Sequence, residues 1–144
     1  MINIDEHIPS LINYCQNNQH IIAMYLYGFY GTKYQTPLSD VDLAVILDLK
    51  KDFNLADQLE LHAEICEVLR EDDVNLTVLN RAPLTMMFKV ISTGCLIYER
   101  DPQAVNNFHE RVFKEYRDFS LDLSRFQREF DVSLREAYLN GQQR

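Results

Sequence analysis

Asp40 and Asp42 stand two residues apart, just where an apolar run, Leu43-Ala44-Val45-Ile46, begins. On an extended strand that spacing sends both carboxylates to one face, with Cβ atoms roughly 6.5–7 Å apart. Like charges so placed repel unless a cation lies between them, and carboxylate pairs of this kind hold Mg2+. Gly28 ends the preceding apolar run, so a glycine turn is expected beside the pair, with backbone N–H groups suited to phosphate oxygens. Phe29 contributes its N–H to that turn, Lys33 is the nearby cation, and Tyr30, Thr32 and Ser39 add hydroxyls. Metal and phosphate groups brought together imply phosphoryl or nucleotidyl transfer, where catalysis is mostly positioning and charge neutralisation. A plainer reading makes Ser39-Asp40-Val41-Asp42 a turn with a solvated acidic face, and Lys33 a solvated loop residue. Carboxylates at the mouth of a buried strand favour the functional reading.

These residues need elements to hold them. Ile21–Tyr27 reads as a buried strand, and Gly28 to Ser39, with two glycines and Pro37, as a loop. Alternation along Asp40–Leu47 predicts a second strand, and Val74, Leu76 and Val78 mark a third. Between them Leu55, Leu59, His62, Ile65, Cys66 and Leu69 mark an amphipathic helix capped by Asn54. A helix at Ile4–Cys15 precedes the first strand; another runs from Pro83 to about Gly94, before a short strand at Cys95–Tyr98. From Val105 to Tyr138 apolar residues recur at steps of three or four, predicting one long amphipathic helix, bent near Phe119-Ser120. Such a helix either packs wholly on the sheet domain or lends part of its stripe to another chain. The order α-β-β-α-β-α-β-α implies an α/β (α+β) fold, a small mixed sheet flanked by helices. Residues 1–101 are expected to form the domain and 102–144 a helical extension packing on it, on a partner, or on both.

The 144 residues are 47% hydrophobic, with 4 Gly and 4 Pro, enough for a real core and too ordered in composition for a disordered chain. With 14 basic and 22 acidic residues the net charge is −8, which argues against a nucleic-acid coat protein and leaves a metal-handled anionic substrate open. Cys15, Cys66 and Cys95 form no CxxC pair and the four histidines are scattered, so a zinc site is not expected. No secretory segment or membrane-spanning run is visible, and a reducing cytoplasm is the expected compartment.

Gly28-Phe29, ten residues, then Asp40-Val41-Asp42 resembles the signature of the DNA polymerase beta-like nucleotidyltransferases, a Gly-Ser followed at the same spacing by Asp-x-Asp. The chain is most similar to the minimal nucleotidyltransferase (MNT) branch, the MntA-like antitoxins encoded beside HEPN-domain toxins. Asp73–Pro83 resembles that family's third strand and following turn, and Leu96–Asp101 and Tyr116–Phe119 are also similar. The resemblance implies a nucleotidyltransferase-like fold, Asp40 and Asp42 as Mg2+ ligands, Gly28 as the turn against the triphosphate, and AMP transfer from ATP to a tyrosine of the toxin. The partner it implies is a HEPN ribonuclease, with no membrane and no direct nucleic-acid contact. The chain departs from the pattern twice. Phe29 replaces the family serine, removing a hydrogen bond to phosphate worth about 1.5–3 kcal/mol. Asn75 aligns with the third catalytic carboxylate, and an amide cannot act as a general base. Asp73, two residues earlier, either substitutes for it or is an ordinary turn acid. Three functions therefore compete: a Mg2+-dependent adenylyltransferase, a catalytically silent antitoxin that works by binding, and a nucleotide sensor.

Overall fold

A computed structural model describes residues 2–28, 30–50 and 52–142. Its elements run α1 (Ile8–Asn17), β1 (Ile21–Tyr27), β2 (Val41–Leu47), α2 (Leu55–Leu69), β3 (Val74–Val78), α3 (Leu84–Thr93), β4 (Cys95–Glu99) and α4 (Pro102–Gln142). Short 3-10 turns at Asp5–His7 and Leu79–Arg81 precede α1 and follow β3. The element order expected from the sequence is the one observed.

The four strands form one mixed sheet in the order β3-β2-β1-β4. β1 pairs antiparallel with both β2 and β4, whereas β2 and β3 run parallel. A parallel pair needs a crossover, and α2 provides it. The helix starts cleanly because the Asn54 side chain accepts from the Asp57 N–H while Asp57 accepts from the Asn54 N–H, each at 2.9 Å. Its C-terminus turns through Arg70 at φ 53°, a left-handed conformation usually left to glycine.

Both sheet faces are covered. Val41, Leu43, Val45 and Leu47 pack with Leu11 and Cys15 of α1 and with Leu61, Ile65 and Leu69 of α2. The opposite face, Ala23 and Tyr25 with Ala44 and Ile46, meets Val90 of α3 and Val105, Phe108 and Val112 of α4. Interior strands are buried on both sides, which is why β2 reads as an almost unbroken apolar run. The apolar stripe of α2 differs from the sequence expectation. Leu55 and Leu59 are exposed, and Leu61 takes their place in the core. The two leucines lie on the phase of the helix that turns from the sheet, so periodicity alone did not separate the two phases.

Arg100, at the end of β4, donates to the Cys15, Gln16 and Asn18 carbonyls at 2.8–3.2 Å and satisfies the open end of α1. α4 is helical throughout its 41 residues, about 60 Å at the usual rise. Its first turns are bound to the domain. Tyr116 stacks on Phe88 of α3 at 3.7 Å, and Phe113 meets the same ring edge-on at 5.7 Å. Beyond Tyr116 every described side chain is exposed.

Candidate functional site

β2 emerges from the core at Val41, and Asp40 and Asp42 flank that point. Asp42 lies opposite Asn75 in the parallel register and opposite Tyr27 in the antiparallel one. Strand parity then puts Asp42 and Asn75 on the face that, deeper in, carries Ala44 and Ile46. At this end no helix covers the face, so Asp40 and Asn75 are exposed and Asp42 is half-buried.

The Asn75 amide nitrogen donates to Asp40 Oδ2 at 3.2 Å and to Asp42 Oδ1 at 3.0 Å. One neutral group thus draws two like charges together. The reversed amide would set its oxygen against two carboxylates, so this orientation follows from the electrostatics. The two aspartates and Asn75, singled out from the sequence, therefore form a single contact group. Their donor chemistry suits one Mg2+ that keeps its remaining ligands as waters and phosphate oxygens. A second ion would lack the charge a third carboxylate brings. Among the described residues no three His, Cys, Asp or Glu side chains gather where they could hold a metal. Asp73 does not complete such a group; its carbonyl accepts from the Val41 N–H at 3.0 Å and its own N–H donates to Glu71.

Gly28 turns the chain beside the pair at φ +78°, and a Cβ built there would sit 2.2 Å from Asp42 Oδ2. Carboxylate and backbone approach so closely that no side chain fits, the requirement a glycine turn against a triphosphate also has. Phe29 lies outside the described residues. The other loop candidates are engaged elsewhere. The Tyr30 hydroxyl donates to Asp5 at 2.7 Å and accepts from the Ile4 N–H. Lys33 Nζ lies over the Tyr34 ring, 5.1 Å from its centroid. Ser39 Oγ accepts from the Thr36 N–H at 2.9 Å and closes a local turn. Among the described loop candidates, Gly28 is packed against the Asp42 carboxylate, while Tyr30, Lys33 and Ser39 make the contacts just named.

Two residues at this end were not singled out from the sequence. The half-buried Tyr27 hydroxyl pairs with Thr77 Oγ1 at 3.1 Å, bridging β1 and β3 across the strand that carries Asp42. Burial raises the Tyr27 pKa, Asp42 adds to the rise and Thr77 opposes it, so the phenol stays protonated near neutral pH. Only the strand register reveals this pair; neither residue has a distinguishing spacing.

A family model described as polymerase beta, nucleotidyltransferase, matches residues 10–103. No curated protein matches the chain. Among solved structures, a toxin–antitoxin crystallised with AMP-PNP is 22% identical at a TM-score of 0.64, over 81% of this chain and 90% of that one. The MntA–HepT toxin–antitoxin is 19% identical at 0.62, over 81% and 90%. A structure of the tri-AMPylated Shewanella oneidensis HEPN toxin in complex with MNT antitoxin is 20% identical at 0.64, over 83% and 92%. At these identities the likeness is one of fold.

Proposed function

The chain belongs to the polymerase beta nucleotidyltransferase family, and on that premise we propose that it is an MNT-type antitoxin that silences a HEPN-domain toxin by transferring AMP from ATP. The observation that carries this reading is the Asp40–Asp42 pair packed against the glycine turn at Gly28. Support also comes from the similar structures, which hold an AMP-PNP complex and an AMPylated HEPN toxin. The site is expected to work in the cytoplasm. No described helix is long and apolar enough to cross a membrane.

In this reading Asp40 and Asp42 would hold Mg2+, which would supply charge neutralisation at the triphosphate. The Gly28 turn admits the phosphates close to the backbone, with Lys33 and Ser39 required to leave their present contacts if they are to reach them. A toxin hydroxyl oxygen attacks the α-phosphorus, the bond to pyrophosphate breaks, and the hydroxyl proton passes to a site carboxylate or to solvent. Asn75 fixes the spacing of the two aspartates but accepts no proton, so the transfer is slow for its class. General-base help contributes about 10²–10⁴-fold where it is present.

A second reading has one observation in its favour. Asn75 donates to both aspartates and supplies neither a third negative charge for a metal nor a proton acceptor, as expected of a site that has stopped turning over and of an antitoxin that works by binding alone. The two separate cleanly. The protein is mixed with Mg2+, labelled ATP and the HEPN-domain protein encoded beside it, and the toxin is weighed by mass spectrometry. Addition of AMP that disappears in Asp40→Ala and Asp42→Ala supports transfer. Neutralisation without added mass, surviving both substitutions, supports binding.

A further inference from the structure

The face of α4 that packs on the domain does not stop where the domain does. Val105 and Val112 are buried, Tyr116 stacks on Phe88, and the same seam continues as Phe119, Leu123, Phe126 and Phe130. From Val112 to Phe130 the steps alternate four and three, a 3.5-residue repeat that keeps a seam facing one neighbour along its length. The four distal side chains are 43–62% exposed, a continuous apolar strip that a soluble chain does not ordinarily leave in water.

The flanks of this strip say what kind of neighbour fits. The position just before each Leu123-type residue is acidic at Asp122, Glu129 and Glu136, forming one edge. Among the described residues none of the three is in an ion pair. The opposite edge carries Ser120, Gln127 and Leu134; Arg125 borders the acidic edge between Asp122 and Glu129, and Arg128 and Arg135 lie on the back of the helix. A second copy running antiparallel would set acid against acid; a parallel copy would set acid against neutral residues. Neither arrangement gains attraction, and each adds a second net charge of −8.

The geometry points to the distal half of α4 as a docking blade for a different, basic chain, seated in an apolar groove between helices with Lys or Arg along one rim. This inference rests on the proposed function for the identity of that chain, the HEPN-domain toxin. The blade would hold the toxin on the domain that carries Asp40 and Asp42, so recognition and chemistry use separate surfaces.

The test titrates the full chain against the purified HEPN-domain protein encoded beside it, by calorimetry, with circular dichroism to verify helix content and sedimentation to follow self-association. The seam variant combines Leu123→Gln with Phe126→Gln; the edge variant combines Glu129→Lys with Glu136→Lys; the back-face control combines Arg128→Gln with Arg135→Gln. Glutamine keeps helix propensity, and Phe119→Gln with Phe130→Gln is a second seam pair should the first lose helicity. The expected result is a monomeric chain alone, with affinity weakened about 30-fold or more in either seam pair. About 10-fold loss that grows as salt is lowered is expected in the edge variant, and no change in the control. Toxin binding that ignores both seam pairs would overturn the blade and leave the proposed function standing. A dimer of the chain alone that the seam pairs dissociate would assign the strip to a second copy and overturn it too. No binding by the unaltered chain would overturn both readings together.

Discussion

Asn75 decides, through one atom, how this site behaves. Its amide nitrogen holds Asp40 and Asp42 together where a carboxylate would push them apart and then bind metal. Asn75→Asp is therefore expected to act in opposite directions. Without Mg2+ its melting temperature should fall, and Mg2+ should restore it; AMP transfer should rise about 10-fold or more. A scan with and without the ion, beside a rate assay, reads both effects. Gly28 is the second decisive residue. Gly28→Ala forces a left-handed alanine and places its Cβ against Asp42, so urea unfolding should show a loss of about 1–3 kcal/mol, together with weaker nucleotide binding. At this scale the aspartates and Gly28 were readable because their spacing and residue types carry the chemistry, whereas Asn75 stood out only through the family resemblance. Tyr27 and Thr77 were not, since only strand pairing brings them together.

Single helix ends and contacts set the stability of the elements. Removing the reciprocal cap of α2 by Asn54→Ala should cost about 1 kcal/mol. Relaxing its left-handed terminus by Arg70→Gly should recover a similar amount, and denaturant midpoints measure both. Where α4 packs on the sheet, the Tyr25 hydroxyl and His109 Nε2 share a hydrogen bond. Burial lowers the His109 pKa below its ordinary value, with the Glu99 carboxylate opposing the shift. As pH falls below about 6.5 the unfolded chain takes up this proton before the folded one. The stability that neutral His109 confers is thus complete above that pH and lost as pH drops through its folded value. Unfolding midpoints followed from about pH 7 to about pH 5 should decline, and His109→Gln should remove part of the decline. Elements were legible wherever one pattern dominated: β2 follows from alternation, β1 from an apolar run closed by Gly28, and α4 from apolar steps of three or four between Val105 and Tyr138. Along α2 two overlapping leucine phases compete, and only packing on the sheet selects Leu61 over Leu55 and Leu59. The bend expected near Phe119-Ser120 does not interrupt α4, whose helical run continues through both residues.

The whole molecule divides into a packed sheet domain and a helix that outreaches it. Isolated helical segments are marginal in water, so the distal turns of α4 depend on whatever covers their seam. Amide exchange there should be rapid in the free chain and slow markedly on adding the HEPN-domain protein, while the amides of β1 and β2 stay protected throughout. Charge distribution follows the same division. Most of the 22 acidic residues are surface, two meet at the head of β2, and three more line one edge of the distal helix. The central claim is that the Asp40–Asp42 pair transfers AMP despite Asn75. The most direct measurement is the intact mass of the HEPN-domain toxin after incubation with this protein, ATP and Mg2+. The account predicts added AMP that is lost with Asp40→Ala and accumulates faster with Asn75→Asp. A toxin that is neutralised yet unchanged in mass, with the original chain and with Asn75→Asp alike, would contradict it.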